Sequence, residues 1–404
     1  MKSFTLIAVA LASQALAAPT LIPLTKLAGP AKGDSYVIKL KDGVSKDSHI
    51  AQLLEFIGNQ DSEVVYKRHG QYENVFNGYA GVLKGPILDY IRSSSEVEYI
   101  QTDTIYKIDW EQGDEEFASE GHDEDQTSEL AKRAANGEGV DIYGLDTGIL
   151  TSHESFGGRA SWGATFGGFE DKDGNGHDLV GVDTAGTAAG SGFGLATAAK
   201  VIAVKVCSDE GQCATSDIVA GINFVVSQAT SSGRPSIATM SLGGPVDPAI
   251  DSAVKAGISR GIHFTVAAGN ENQNAGNSSP AHVPEANTIA AVDSSNRKAS
   301  FSNFAVVDVW ALGVNVRSAW IGNNTAVNTI SGTSMATPQV AGILAVVLGR
   351  DGQMSPAELS SALVSNAEAV VIGAPSNTTA NRNITSEGPE QLPHSFGLLR
   401  RHNP

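Results

Sequence analysis

Clustered positive charge is what this chain lacks first: 27 lysines and arginines stand against 44 acids, a formal net charge of −17, and the basic residues are scattered. Phosphate backbones are held by grouped cations, so nucleic acid is excluded as a partner. Past its first seventeen residues the chain also lacks any apolar run long enough to cross a bilayer, which excludes a membrane-embedded body. Cysteine is nearly absent. Cys207 and Cys213 are the only two, and two thiolates alone make a poor metal site, so neither a metal nor another cofactor is expected. The five residues between them, Ser208 to Gln212, allow a small closed loop, and a disulfide and two free thiols both remain open at this spacing. No internal repeat is found, which excludes a solenoid.

What is present is the composition of a folded protein, with 41% apolar and 18% charged residues. At 404 residues there is room for one large domain and a smaller one. The N-terminus carries Lys2, then the apolar run from Phe4 to Ala12, then Ala15-Leu16-Ala17. A charged start, a short apolar core and small residues at a cleavage point make residues 1–17 a secretory signal peptide, and the expected location is extracellular. Four N-x-Ser/Thr sequons, at Asn277, Asn323, Asn377 and Asn383, are expected on surface loops as glycan acceptors.

Taken in order, residues 18–108 read as a β-α-β-β-α-β module. Its strands lie at Ser35–Leu40, Phe76–Leu83 and Val97–Asp103, with helical spacing over 46–57 and 87–91. Residues 109–133 then break the pattern, with ten acids and no lysine or arginine between Asp109 and Leu130. Such a run is expected to be an unpacked linker. Lys132-Arg133 closes it as an exposed dibasic site. From 134 to 404 short apolar strands alternate with helices: Val140–Leu145, Val201–Val206, Ile237–Leu242 and His263–Ala268 are strands, and helices open near Ser216 and Ala249. That rhythm predicts a parallel sheet covered by helices on both faces. Ser355-Pro356-Ala357-Glu358 is a capping box with proline at the first helical position, so a last helix starts there.

The chemistry gathers at strand ends and at one helix start. Ser334 lies in Ser331-Gly332-Thr333-Ser334-Met335-Ala336-Thr337-Pro338, just before the apolar run Val340–Leu348, which Gly349 bounds. A run apolar on every side is a buried helix, and a hydroxyl at its N-terminus sits among unpaired N–H groups and the positive end of the dipole. Asp146 ends the first strand of the larger domain in Asp-Thr-Gly-Ile, and Asn270 ends another in Ala-Ala-Gly-Asn. Open α/β sheets place their sites at that edge. The octapeptide around Ser334, the Asp146 string and the Asn270 string together resemble the subtilisin-like serine proteases of the fungal type. FNGYAGVL and VEYIQTD upstream resemble that family's inhibitory prodomain. The resemblance implies an α/β subtilisin-like fold behind a small ferredoxin-like prodomain that covers the cleft. It also implies hydrolysis of peptide bonds through an acyl-enzyme on Ser334, with Asp146 as the orienting acid and Asn270 as the oxyanion donor. Ser241-Leu242-Gly243-Gly244, with Ala268 and Gly269, would bind extended substrate.

One part of that set departs from the family. The family's histidine motif ends in His-x-Ala-Gly-Thr, whereas this chain reads Gly176-His177-Asp178-Leu179-Val180-Gly181-Val182-Asp183-Thr184-Ala185-Gly186-Thr187. Anchored on Ala-Gly-Thr, Asp183 stands where the base belongs, behind three inserted residues. A carboxylate of ordinary pKa near 3.9 is a poor base for a hydroxyl, so catalysis is expected to be impaired. The alternatives are an active endopeptidase using His177, and a peptide-binding pseudoprotease. His153 reads as a surface residue. Asp171-Lys172-Asp173-Gly174-Asn175-Gly176 opens like a calcium loop, but Val182 occupies the position of its bidentate acid, so no metal is expected. The expected partners are extended peptides or proteins, the chain's own prodomain and a kexin-like processing protease cutting at Lys132-Arg133, with the protein itself a monomer.

Overall fold

The computed structural model describes residues 21–58, 71–108, 110–112, 136–169, 179–367, 369–370, 373 and 382–383. In the N-terminal module, β1 (Leu24–Thr25), β2 (Ala31–Leu40), α1 (Lys46–Gly58), β3 (Gln71–Tyr72), β4 (Gly78–Val82), α2 (Pro86–Ser93) and β5 (Val97–Lys107) follow in order. The sheet runs β1-β5-β2-β4-β3. Ile38, Leu40, Leu53, Tyr79, Ile87 and Ile91 meet beneath the two helices as a separate small core. β5 runs four residues past the expected end at Asp103, because Ile105–Lys107 pair with a strand of the larger domain. β6 (Glu111–Gln112) follows, and it lies inside the stretch expected to be an unpacked linker. Its backbone pairs with residues 330–331, so main-chain pairing with another sheet overrides the local charge.

The larger domain is built on β7 (Asp141–Asp146), β8 (Ala160–Thr165), α3 (Leu179–Ala189), β9 (Lys200–Lys205), β10 (Gln212–Ala214), α4 (Thr215–Ser232) and β11 (Ser236–Met240). It continues through β12 (Gly244–Pro245), α5 (Pro248–Ser259), β13 (His263–Ala267), β14 (Ser278–Ser279), β15 (Asn287–Val292) and β16 (Val309–Leu312). The last elements are β17 (Val316–Ala319), β18 (Val327–Ser331), α6 (Thr333–Asp351), α7 (Pro356–Ser365), β19 (Ala369–Val370) and β20 (Arg382–Asn383). The main sheet has the order β19-β20-β16-β15-β13-β11-β7-β9-β8, parallel except at β19-β20. Consecutive residues of β11 feed opposite cores: Ile237 joins the side of α3 and α6, and Ala238 the side of α4 and α5. That two-sided burial is why these strands read as continuous apolar runs rather than alternating ones.

α6 is buried from Thr333 through Leu348 except at the half-buried Gln339, which is why its run Val340–Leu348 is apolar all round. Gly349 does not end it; the helix continues to Asp351. A side chain at 349 would meet the Gly137 backbone at 2.9 Å, so the glycine serves a close approach rather than a stop. Pro338 lies inside the helix and cannot donate to the carbonyl of Ser334. Ser241 Oγ takes that place at 2.9 Å, which locks the end of β11 onto the helix start. α7 opens with the Ser355–Glu358 capping box, both of its bonds present.

Candidate active site

Three neighbouring strands, β7, β11 and β13, end side by side, and α6 starts over them. This brings Asp146, Ser241, Asn270 and Ser334 to one edge of the sheet. Ser334 is 2% exposed, and its Oγ donates to the carbonyl of Ser241 at 3.2 Å. Asn270 Oδ1 accepts from the Thr333 N–H and the Thr333 hydroxyl, both at 2.9 Å. Those bonds commit the amide oxygen to the helix start, so the NH2 end is the one suited to donate toward charge forming beside Ser334. Ser334, Thr333, Asn270, Gly269 and Ser241 line a cleft of about 250 Å³.

Asp146 is buried, with Oδ1 accepting from the Thr147 N–H at 2.7 Å and Oδ2 from Thr184 Oγ1 at 3.4 Å. Burial pushes its pKa up to about 7, against the hydrogen bonds of Thr147 and Thr184 and the charge of Lys205, which lower it. Lys205 closes β9, is itself buried, donates its ammonium to the Thr147 carbonyl and pairs with Asp209 at 2.7 Å. Motif reasoning passes over it, although a lysine in the otherwise apolar run Val201–Val206 is a legible signal.

Asp183 lies in the second turn of α3, not at a helix start. It is fully buried, and neither carboxylate oxygen has a hydrogen-bond partner among the described residues. Burial first, and the charge of Asp146 second, raise its pKa well above the ordinary carboxylate range, against the nearby Thr187 hydroxyl, which lowers it. The helix docks through Gly181, whose N–H donates to Thr147 Oγ1 at 3.1 Å. His177 lies outside the described residues, as do Lys132, Arg133, Asn377 and the loop 171–176. The four described histidines are engaged or buried elsewhere. His49 bonds Glu96 and Tyr79, His153 bonds Ser155 and the Ala326 carbonyl, and His282 bonds Asp251. His263 is buried in β13, its pKa lowered to about 4 by that burial. His153 is also buried, at 3% exposure, which corrects its reading as a surface residue; it caps the short helical turn Glu154–Phe156.

The segment from Ser241 to Gly244 faces the N-terminal module. Gly243 forms a bridge with Lys107, and Leu242 is buried in the core on the α4 and α5 side. A side chain at Gly244 would stand 2.4 Å from the Tyr106 ring, so only glycine admits that ring. The Tyr106 hydroxyl donates to the Pro245 carbonyl at 2.6 Å. Ala268 departs from its expected role: its side chain is buried with Trp310, and its neighbours Ala267 and Gly269 line the cleft instead, because alternate residues face opposite sides of the sheet. Glu271, next along and hydrogen-bonded by Asn303 at 2.6 Å, also lines it.

Further contacts fasten the module. Asp103 Oδ1 accepts the Ser216 N–H at 2.9 Å, Gln101 donates to Asp247 Oδ1 at 2.7 Å, and Lys32 pairs with Asp217 at 2.5 Å. α4 has no side-chain cap of its own, and Asp103 supplies an acceptor at its first turn from outside. Cys207 and Cys213 are joined as a disulfide. Asn277 and Asn323 are exposed, whereas Asn383 stands in β20 between β16 and β19, not on a loop. Among the described residues no helix is long and apolar enough to cross a membrane.

Residues 137–398 match the model of the Subtilase family, and residues 35–109 match that of Peptidase inhibitor I9. A cuticle-degrading serine protease of Arthrobotrys oligospora is 39% identical over 386 residues, which cover 90% of this chain and 93% of that protein. Subtilisin-like protease 2 of Pseudogymnoascus destructans is 38% identical over 348 residues, covering 82% and 84%. The crystal structure of a cold adapted subtilisin-like serine proteinase superposes with a TM-score of 0.57 at 39% identity, covering 63% of this chain and 90% of that one.

Proposed function

This chain belongs to the subtilase family, and on that premise we propose that it is a secreted, monomeric subtilisin-like serine endopeptidase homologue whose hydrolytic step is impaired. What supports a retained cleft and anion-stabilising side is position: Ser334 heads α6, Asn270 is bonded to the Thr333 beside it, and Asp146 is buried at the end of the next strand but one. The observation that carries the reading is Asp183. Its position in the family motif is that of the base, yet burial and the neighbouring charge of Asp146 favour the protonated form of this carboxyl, and that form is unsuited to take a proton from Ser334.

A second reading, an active endopeptidase with His177 as base, is favoured by the docking of Gly181 on Thr147, since His177 is covalently tethered four residues before Gly181. One experiment tests both. The purified chain, freed of its N-terminal module, is assayed on peptide substrates and with an organophosphate, beside Ser334→Ala and His177→Ala. The expected result is turnover no higher than Ser334→Ala, because losing a triad's base removes about six powers of ten in kcat. Steady turnover that vanishes in both variants would establish the His177 reading instead.

Maturation is proposed to occur in trans at Lys132-Arg133, by a kexin-like protease, since an impaired site does not cut its own chain. The double variant Lys132→Ala/Arg133→Ala is expected to accumulate at full length on an immunoblot of culture supernatant. Normal mature protein from that variant would contradict the proposal.

A further inference from the structure

β10 is three residues long, and among the described residues its one strand partner is β5 of the N-terminal module. On the side of the larger domain it is held by the loop it closes. The disulfide joins the ends of that loop, Ser208 N–H donates to the Gln212 carbonyl at 2.8 Å, and Gly211 N–H to the Ser208 carbonyl at 3.0 Å. One end of the bridge is bonded to the end of β7, and the other lies against β5 of the N-terminal module. Cys207 N–H, with Val206 N–H, donates to the main-chain carbonyl of Asp146, at 3.3 and 3.0 Å. Cys213 stands opposite Tyr106, and the Gly211 carbonyl beside it accepts the Ile108 N–H at 3.0 Å.

We infer that the Cys207–Cys213 disulfide is a positioning element for peptide binding: it ties the edge that receives an extended chain to the strand end that carries Asp146. Opening it weakens the addition of a peptide backbone to β10. A three-residue edge strand held on its own side by a single bridge, Cys207 to Cys213, must order its backbone each time a peptide adds, and a crosslink removes that cost beforehand. The inference rests on the reading of this cleft as a peptide-binding one. Opening is a two-electron reduction: the S–S bond breaks, two thiols form, and dithiothreitol supplies both electrons and both protons as it closes to its cyclic disulfide.

The test uses the full-length chain carrying Ser334→Ala and reads amide exchange at Ile108. It compares the disulfide form, the dithiothreitol-reduced form with its two thiols titrated, and the pairs Cys207→Ser/Cys213→Ser and Cys207→Ala/Cys213→Ala. Exchange at Ile108 is expected to quicken at least tenfold in every opened form that stays folded. Leu40 and Leu83 in the N-terminal module, and Ala268 in the main sheet, keep their protection. Unchanged exchange at Ile108 would overturn the inference, and so would equal loosening at Ala268, which would make the bridge an ordinary stability crosslink. If the serine pair does not fold, the alanine pair and the reduced chain decide. Unprotected Ile108 in the disulfide form would sink the peptide-binding reading as well.

Discussion

Asp146→Asn should stabilise the fold at pH 8 and leave it nearly unchanged at pH 4. The native carboxyl has its pKa raised from 3.8 to about 7 by burial, so the folded state binds this proton more tightly than the unfolded one. The stability it contributes is whole below the unfolded value near 3.9 and is lost as pH rises through about 7. Above that the ionised form weighs on the fold by roughly 4 kcal/mol, since each tenfold gain in proton affinity corresponds to about 1.36 kcal/mol. Asparagine keeps the shape, its oxygen still accepts the Thr147 N–H, and its NH2 can donate to the Thr184 hydroxyl. The difference in unfolding free energy between variant and parent, measured by denaturant titration at a series of pH values, should climb from near zero at pH 4 to a plateau above pH 7. A flat difference would show that Asp146 is ionised at little cost. An imidazolium beside it would produce that result, so the experiment also bears on the His177 reading.

The second large effect is expected at Tyr106. It is 1% exposed, its ring fills the space at Gly244, and its hydroxyl reaches the Pro245 carbonyl. Truncation of a buried aromatic to alanine costs about 3–5 kcal/mol, and here the loss falls on the contact that seats β5 beside the cleft. In the full-length chain, Tyr106→Ala should speed exchange at the Ile108 amide by about a hundredfold or more, at about 1.4 kcal/mol for each factor of ten. Tyr106→Phe keeps the ring and gives up one hydrogen bond, worth about 1 kcal/mol, so its effect should stay below tenfold. Equal effects from the two variants would mean that the hydroxyl, rather than the ring, holds the strand.

Much of the molecule is legible in the residues alone. The alternation of apolar strands with helices, the capping box at Ser355, the strand-end positions of Asp146 and Asn270 and the helix start at Ser334 all follow from local periodicity and turn chemistry, which short segments carry within themselves. Which residues meet across the chain is another matter. Gly349 reads as a stop and is instead a contact with Gly137, and Ala268 reads as cleft-lining but faces Trp310. Residues 111–112 read as part of an unpacked linker and form a strand on β18. The carbonyl freed by Pro338 is claimed by Ser241, from a strand 93 residues earlier in the chain. The burial that raises Asp183 and Asp146, and the lysine set beside Asp146, depend in the same way on segments far apart in sequence. Burial, desolvation and cross-strand pairing exist only once those segments pack, so the tertiary structure alone decided them; the sequence by itself determined the elements and the order in which they present their ends.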